Sequence, residues 1–265
     1  MLIATIIYYP NALVINNIIN ILGFGQRILI FDNSPLSIES QRLCEAVRSN
    51  PNLLYYSSSK NIGISKALNH ILSVAHDSNV KKVLYIDQDT IVTVKSINYI
   101  YNSFNAWELL FDTHYALVNF SNKVTFTSCS LVNTTLAISS GSLLNVSKLL
   151  SIGAYNTKYF ADLCDYEICF RAIDNNLMVA NCFNCPGFDH ITNQPDIQIK
   201  FFGKLFLLRC YSPFRIISTI SSHFYLLKTY FFSNQRFSWL IFKSLIIYSF
   251  FQFIARIFLL PKSIR

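Results

Sequence analysis

The sequence predicts an α/β fold built on a buried parallel sheet, followed by a basic helical tail, and three observations carry that prediction. Short, continuous apolar runs alternate with segments of helical spacing through the first third of the chain. Two of those runs end on an aspartate, Asp32 and Asp87, where strands of a parallel sheet meet a ligand crevice at their carboxyl edge. From Lys200 to Arg265 there are ten basic residues and no acid, so an acid-bearing body gives way to a basic, aromatic segment.

Each element has its own signal. "LIATIIYY" (2–9) packs β-branched residues together and reads as a strand turning at Pro10, not as a leader, because it lacks a positive amino-terminal region and a small-residue cleavage site. Asn11 to Leu22 has helical spacing and stops at Gly23; "RILIFDNS" (27–34) is a second strand; Ser37 caps a helix to about Val47. "NLLYYS" (52–57) is a third strand. "NIGISKALNHILSVA" (61–75) spaces Ile64, Leu68, Ile71, Leu72 and Ala75 for one helix face, and "KVLYI" (82–86) is a fourth strand. Beyond it, 96–107 reads as helix, 115–120 and 135–144 as strand pieces, 146–152 and 164–175 as helices and 177–183 as strand. The division expected is a domain at 1–196 and a helical, membrane-associating tail at 197–265.

Composition limits the function. The 265 residues allow one large domain, or a domain with an appendage. Charged residues are only 14%, against the usual quarter, and 52% are hydrophobic, with a net charge of +8. A basic, apolar surface suits an anionic membrane, with a helical cap on the core as the plainer reading; a nucleic-acid partner is not expected. The apolar run 239–260 is interrupted by Lys243, Gln252 and Arg256, which favours a helix lying on a membrane over one crossing it. The cysteines, at 44, 129, 164, 169, 182, 185 and 210, are odd in number. Cys182 and Cys185 have no second C-x-x-C to complete a zinc site, so buried thiols in a reducing cytosol are expected.

Two acidic groups suggest chemistry. Asp87 and Asp89 flank Gln88 just past "VLYI". Two carboxylates so close repel, and a small cation such as Mg²⁺, completed by substrate phosphates, would offset both. In "ADLCDYEICFR", Asp162, Asp165 and Glu167 open a helix. They could favour its macrodipole, or raise one another's pKa so that one serves as a general base.

The ordered set "TIIYYPN", "IFDNS", "NIGISKALN", "LYIDQDT", "ISSGSLL" and "FADLCDYEICFR" resembles glycosyltransferase family 2, and more closely the bacterial rhamnosyltransferases of O-antigen and other surface polysaccharides. The resemblance spans roughly residues 2 to 192. It implies a Rossmann-like GT-A nucleotide-diphospho-sugar transferase fold. Asp32 would bind the nucleotide base beside Tyr8 and Pro10, and Asn61 and Gly63 would shape the same pocket. Asp87 and Asp89 would hold Mg²⁺ or Mn²⁺, with His190 approaching the metal or diphosphate, and Ser140 and Gly141 would line the sugar site. Asp165 would be the catalytic base, with Glu167 two residues on. The implied reaction is inverting transfer from a nucleotide sugar, dTDP-L-rhamnose by likeness, to a lipid-diphosphate-linked glycan at the cytoplasmic face of the inner membrane, with the enzyme bound peripherally. The alternatives are another hexosyl or a galactofuranosyl transferase of this fold, or an inactive membrane-bound scaffold. Asn193 stands where the family has a glycine, and 212–223 keeps Arg215 without the tyrosines of the family's tail motif.

Overall fold

The computed structural model describes residues 1–34, 37–47, 50–120, 130–190, 197–201 and 204–259, apart from the side chains of 46, 47, 104, 106, 107, 189, 190, 197–201, 204–208, 258 and 259. In chain order the elements are β1 (Leu2–Ile7), α1 (Ala12–Gly23), β2 (Ile28–Asp32), α2 (Ile38–Val47), β3 (Leu53–Ser57), α3 (Ile64–Asp77), β4 (Lys82–Asp87), β5 (Thr90–Ile91), α4 (Val94–His114) and β6 (Tyr115–Phe120). Then come β7 (Ser130–Asn133), β8 (Ser142–Asn145), α5 (Val146–Ser151), α6 (Cys164–Asp174), β9 (Met178–Phe183), β10 (Asp189–His190), β11 (Ile197–Phe201), β12 (Lys204–Leu208), α7 (Pro213–Tyr230) and α8 (Gln235–Leu259). They form two compact units, one of Met1–Phe160 and Cys164–Ile191, the other of Ala161–Leu163 and Thr192–Arg265.

The first unit is a mixed sheet in the order β3-β2-β1-β4-β8-β6-β9-β7. The first four strands run parallel, as their unbroken apolar runs predict, and every residue of β1 and β2 is buried. The sheet is not parallel throughout: β8 is antiparallel to both β4 and β6, and β7 to β9. Ser37, the cap expected from the sequence, accepts from the Ser40 amide ahead of α2, and Asn11 and Thr93 cap α1 and α4 by accepting from the Val14 and Ser96 amides. The α3 stripe of Ala67, Leu68, Ile71, Leu72 and Ala75 is fully buried. Lys82 opens β4 as a buried lysine, paired with Glu108 at 2.9 Å and Asp112 at 3.2 Å on α4. Cys182 and Cys185 lie in the hydrophobic core, where the Cys185 thiol donates to the Cys182 carbonyl. Cys129 and Asn193 lie outside the described residues.

The expected strand at 135–144 is regular only over Ser142–Asn145. Upstream of it, α6 side chains take the place of a neighbouring strand. Cys169 Sγ accepts from the Ala137 amide and donates to the Ala137 carbonyl, and Asp165 accepts from the Ser139 amide. Backbone satisfied in this way needs no ladder.

The second unit is not the wholly helical tail expected, since it includes the antiparallel hairpin β11–β12. The alternation of "IQIKF" carries that hairpin's signal, and the basic, aromatic composition of the segment hides it. Helices α7 and α8 then pack together. Buried His223 bridges the Thr219 carbonyl and Ser244 Oγ, while Gln252 joins the Arg209 carbonyl to the Tyr211 amide. The opposite side of α8 exposes Trp239, Phe242, Ile246, Phe250, Phe253 and Ile257, spaced by three and four.

Candidate active site

The chain leaves β1 to build β2 and β3 on one side, then crosses to β4 on the other, and a crevice opens where the strand order reverses. The registers Ile7↔Asp32 and Ile6↔Asp87 put one carboxylate on each side of the end of β1. Tyr8, Tyr9 and Pro10 follow at that end. Both tyrosines are half exposed, and Tyr9 takes the left-handed backbone at φ 45°.

Asp32 is buried. One carboxylate oxygen accepts from the Ser34 amide at 2.8 Å and the other from the Tyr55 hydroxyl at 2.6 Å. Burial, together with the bond to Asp32, pushes the Tyr55 phenol well above its ordinary pKa, so it stays a neutral donor. Ser34 Oγ accepts from the Tyr9 amide, and Gln88 Oε1 accepts from the Tyr8 amide at 2.8 Å. On β4 the Tyr85 hydroxyl donates to Asp87 at 3.1 Å; burial first, and the Asp87 charge second, hold that phenol neutral.

From Asp87 the path continues. The Asp87 amide donates to Ser140 Oγ at 3.0 Å. Asn119, on β6, fixes the same segment through the carbonyls of Ile138 and Ser140 and through Ser142 Oγ. Ser139 donates through both its amide, at 3.1 Å, and its hydroxyl, at 2.5 Å, to Asp165 Oδ1. Asp32, Tyr8, Asp87 and Asp165 therefore lie along one continuous run of hydrogen bonds and peptide links at the carboxyl edge of the sheet.

Asn61 and Gly63 stand at the entrance to α3. Asn61 Oδ1 accepts from the Gly63 amide, Asn33 Oδ1 from the Ile62 amide, and the Phe160 carbonyl from the Ile64 amide. Glycine is required at 63: φ is +83°, and a Cβ there would come within 2.5 Å of the Phe160 oxygen. Gly141 has φ +74°, with the Phe188 ring against the place a Cβ would occupy. The β5–β10 pairing sets the His190 backbone opposite Thr90, one residue from Asp89. The His190 side chain lies outside the described residues.

The carboxylates of "ADLCDYEICFR" each have their own donors. In the second unit Asp162 takes both guanidinium nitrogens of Arg215, at 3.0 and 3.2 Å, and the Thr219 hydroxyl at 2.5 Å. Buried Glu167 is gripped at 2.8 Å on each oxygen by Arg171. Arg171 also donates to the carbonyls of Ile152 and Ala154, which flank the left-handed Gly153 (φ 90°). Glu167 thus anchors the loop after α5, while Asp165 alone of the three is held by the 139–141 segment.

Asp87 and Asp89 are half-buried carboxylates on one strand end, which suits a hard cation that keeps phosphate oxygens among its ligands. Among the described residues no three His, Cys, Asp or Glu side chains form a closed metal cage, so the remaining ligands would come from elsewhere. Tyr55, Asn119, Ser139 and Tyr155 belong to the site through partners distant in the chain, which leaves little local sign of their roles. For Ser139 the one local signal was its place beside Ser140 in "SSGS".

No protein-family profile and no curated protein sequence matches this chain. Solved structures with a similar fold include TarS of S. aureus, with TM-score 0.56 and 14% identity over 73% of this chain and 37% of that one. They also include TarS 1–349, with TM-score 0.52, 16% identity and 71% and 60% coverage. A third is TarS 1–349 in complex with UDP-GlcNAc, with TM-score 0.51, 14% identity and 72% and 60% coverage. The likeness therefore extends over at most 60% of those chains and concerns the fold.

Arg171→Ala would leave the buried Glu167 carboxylate and two carbonyls without their cation. A loss of about 3–5 kcal/mol in urea unfolding is expected. Glu167→Leu with Arg171→Leu should lose clearly less, since neither charge is stranded.

Proposed function

We propose that this protein is an inverting glycosyltransferase that takes a sugar from a nucleotide sugar, and that the transfer serves surface-polysaccharide synthesis. The observation that carries this reading is the placement of Asp165 on the 139–141 segment, whose Ser140 holds the Asp87 peptide. A candidate base and a candidate diphosphate site thereby share one support. Asp32, Tyr8, Pro10, Asn61 and Gly63 take the nucleotide, and Ser140 and Gly141 line the sugar. Asp165 accepts the proton of the acceptor hydroxyl as its oxygen displaces the nucleoside diphosphate at the anomeric carbon. When bound by Asp87 and Asp89, Mg²⁺ or Mn²⁺ would offset charge on the leaving diphosphate.

The motif resemblance favours dTDP-L-rhamnose as donor and a lipid-diphosphate-linked glycan as acceptor. The likeness to TarS in complex with UDP-GlcNAc favours a second reading, a UDP-sugar donor on the same fold. Nucleoside diphosphate release from dTDP-L-rhamnose, UDP-GlcNAc and UDP-glucose separates the two.

The second unit fits a membrane surface. Gln235–Ile257 is long and apolar enough to cross a membrane, with mean hydropathy 1.6. Yet Ser244, Gln252 and Arg256 on α8 are bonded to His223, Arg209 and Tyr211 of the same unit. A helix held to its own unit through these polar contacts, with its aromatic residues exposed on the other side, has one side to give to a membrane surface rather than a whole circumference to give to lipid.

Asp165→Asn should abolish transfer while leaving donor affinity within about threefold by calorimetry, because a base contributes to the chemical step rather than to binding. Near-normal turnover would remove Asp165 from that role. Asp89→Ala should erase the difference in nucleoside diphosphate affinity measured with and without Mn²⁺; a difference that survives the substitution counts against the cation site. Replacing Trp239, Phe250 and Phe253 together by serine should weaken co-sedimentation with anionic vesicles at least about a hundredfold, given about 1.5–3 kcal/mol for each large apolar side chain buried. Unchanged co-sedimentation would exclude this face.

A further inference from the structure

Asp165 is the end of a short polar chain that reaches into the first unit's core. Ser139 is 3% exposed and Tyr155 is 1% exposed. The Ser139 hydroxyl lies 2.5 Å from Asp165 Oδ1 and 2.9 Å from the Tyr155 hydroxyl. Ser139 has a single hydroxyl proton. Since it goes to the carboxylate, the Tyr155 hydroxyl must be the donor to Ser139. The direction is consistent with the state of Tyr155: burial, reinforced by the Asp165 charge, holds its phenol well above the ordinary pKa, so it keeps its proton. Tyr155 is fixed in turn by Asn69 on α3, which accepts from its amide at 2.7 Å and donates to its carbonyl at 2.8 Å. Two consecutive hydrogen bonds pointing the same way polarise each other, and a carboxylate at their end is held in one orientation.

We propose that Ser139 and Tyr155 are positioning residues for Asp165: they lock its Oδ1 through a directed Tyr155–Ser139–Asp165 chain, so that Oδ2 meets the acceptor hydroxyl. This rests on the transferase reading. In the step served, the acceptor O–H bond breaks and its proton goes to Oδ2. The acceptor oxygen bonds to the anomeric carbon, and the sugar–phosphate bond electrons leave with the nucleoside diphosphate. Neither positioning residue gains or loses a proton overall.

Ionisable groups that feel the Asp165 charge include Tyr85, Tyr155 and Cys169, and burial pushes all three above their ordinary values. Cys164 adjoins Asp165 in the chain, and Glu167 is paired with Arg171.

The test uses the full-length protein and two readouts. In nucleoside diphosphate release from the sugars named above, Ser139→Ala should lower kcat about ten- to a hundredfold with donor KM within about threefold. Ser139→Thr, which keeps the hydroxyl, should recover most of the loss, and Tyr155→Phe, which keeps the ring, should show a smaller fall in kcat. An unchanged kcat in Ser139→Ala, or equal losses for Ala and Thr, overturns the proposal. In carbon-13 NMR titration of the Asp165 carboxyl, removing a donor to the charged form should raise its pKa by roughly one unit in Ser139→Ala and by less in Tyr155→Phe. No shift in either variant overturns the proposal without reference to turnover. A wild-type protein that releases diphosphate from none of the sugars, yet shows these shifts, overturns the transferase reading and leaves the hydrogen-bonded chain standing.

Discussion

Where a buried strand ends, the next peptide N–H loses its neighbour in the ladder, and this protein supplies the replacement from polar side chains of the crevice itself. Gln88 serves the Tyr8 amide, Ser34 the Tyr9 amide, Asp32 the Ser34 amide, Asn33 the Ile62 amide, Ser140 the Asp87 amide and Asp165 the Ser139 amide. Each bond crosses from one loop to another or closes a tight turn. The residues that would do the chemistry are thus the same residues that keep the edge of the sheet in shape. A buried orphan amide costs about 1–3 kcal/mol, so changes here act on stability as well as on function.

The acidic residues divide their work by the donors they meet. Glu167 is sealed against Arg171 and steadies a left-handed turn. Asp162 is satisfied by Arg215 and Thr219 within the second unit, where Arg215 also lies 4.2 Å over the Tyr211 ring. Asp32 is held by Tyr55 and a turn amide. Asp165 and Asp87 differ from these in leaning on one segment, 139–141, which is irregular and pinned by Asn119 and Cys169. That pinning gives a loop the precision of a rigid element, as a site of proton transfer and charge compensation requires.

The second unit follows a different logic. Its inner polar groups, His223, Ser244, Gln252 and Arg256, are hydrogen-bonded, and burial lowers the pKa of His223 and favours its neutral form. The aromatic side of α8 is left for another phase. The protein-facing side of α8 buries Phe237, Ile241 and Ala255 around those few polar contacts, so the helix is apolar on both sides.

Local periodicity in the sequence was enough to determine the β-α order through β4, the burial of the first strands, the cap at Ser37, and the location of Asp32 and Asp87 at strand ends. These depend on neighbours in sequence, where β-branching, helical spacing and a turn residue act directly. The antiparallel insertion of β8, the β11–β12 hairpin, the service of Glu167 to Arg171 and the Tyr155–Ser139–Asp165 chain were decided only by the tertiary structure. Each joins groups far apart in sequence or lets a side chain stand in for a strand. No local pattern records which donor a carboxylate will meet once the chain has folded.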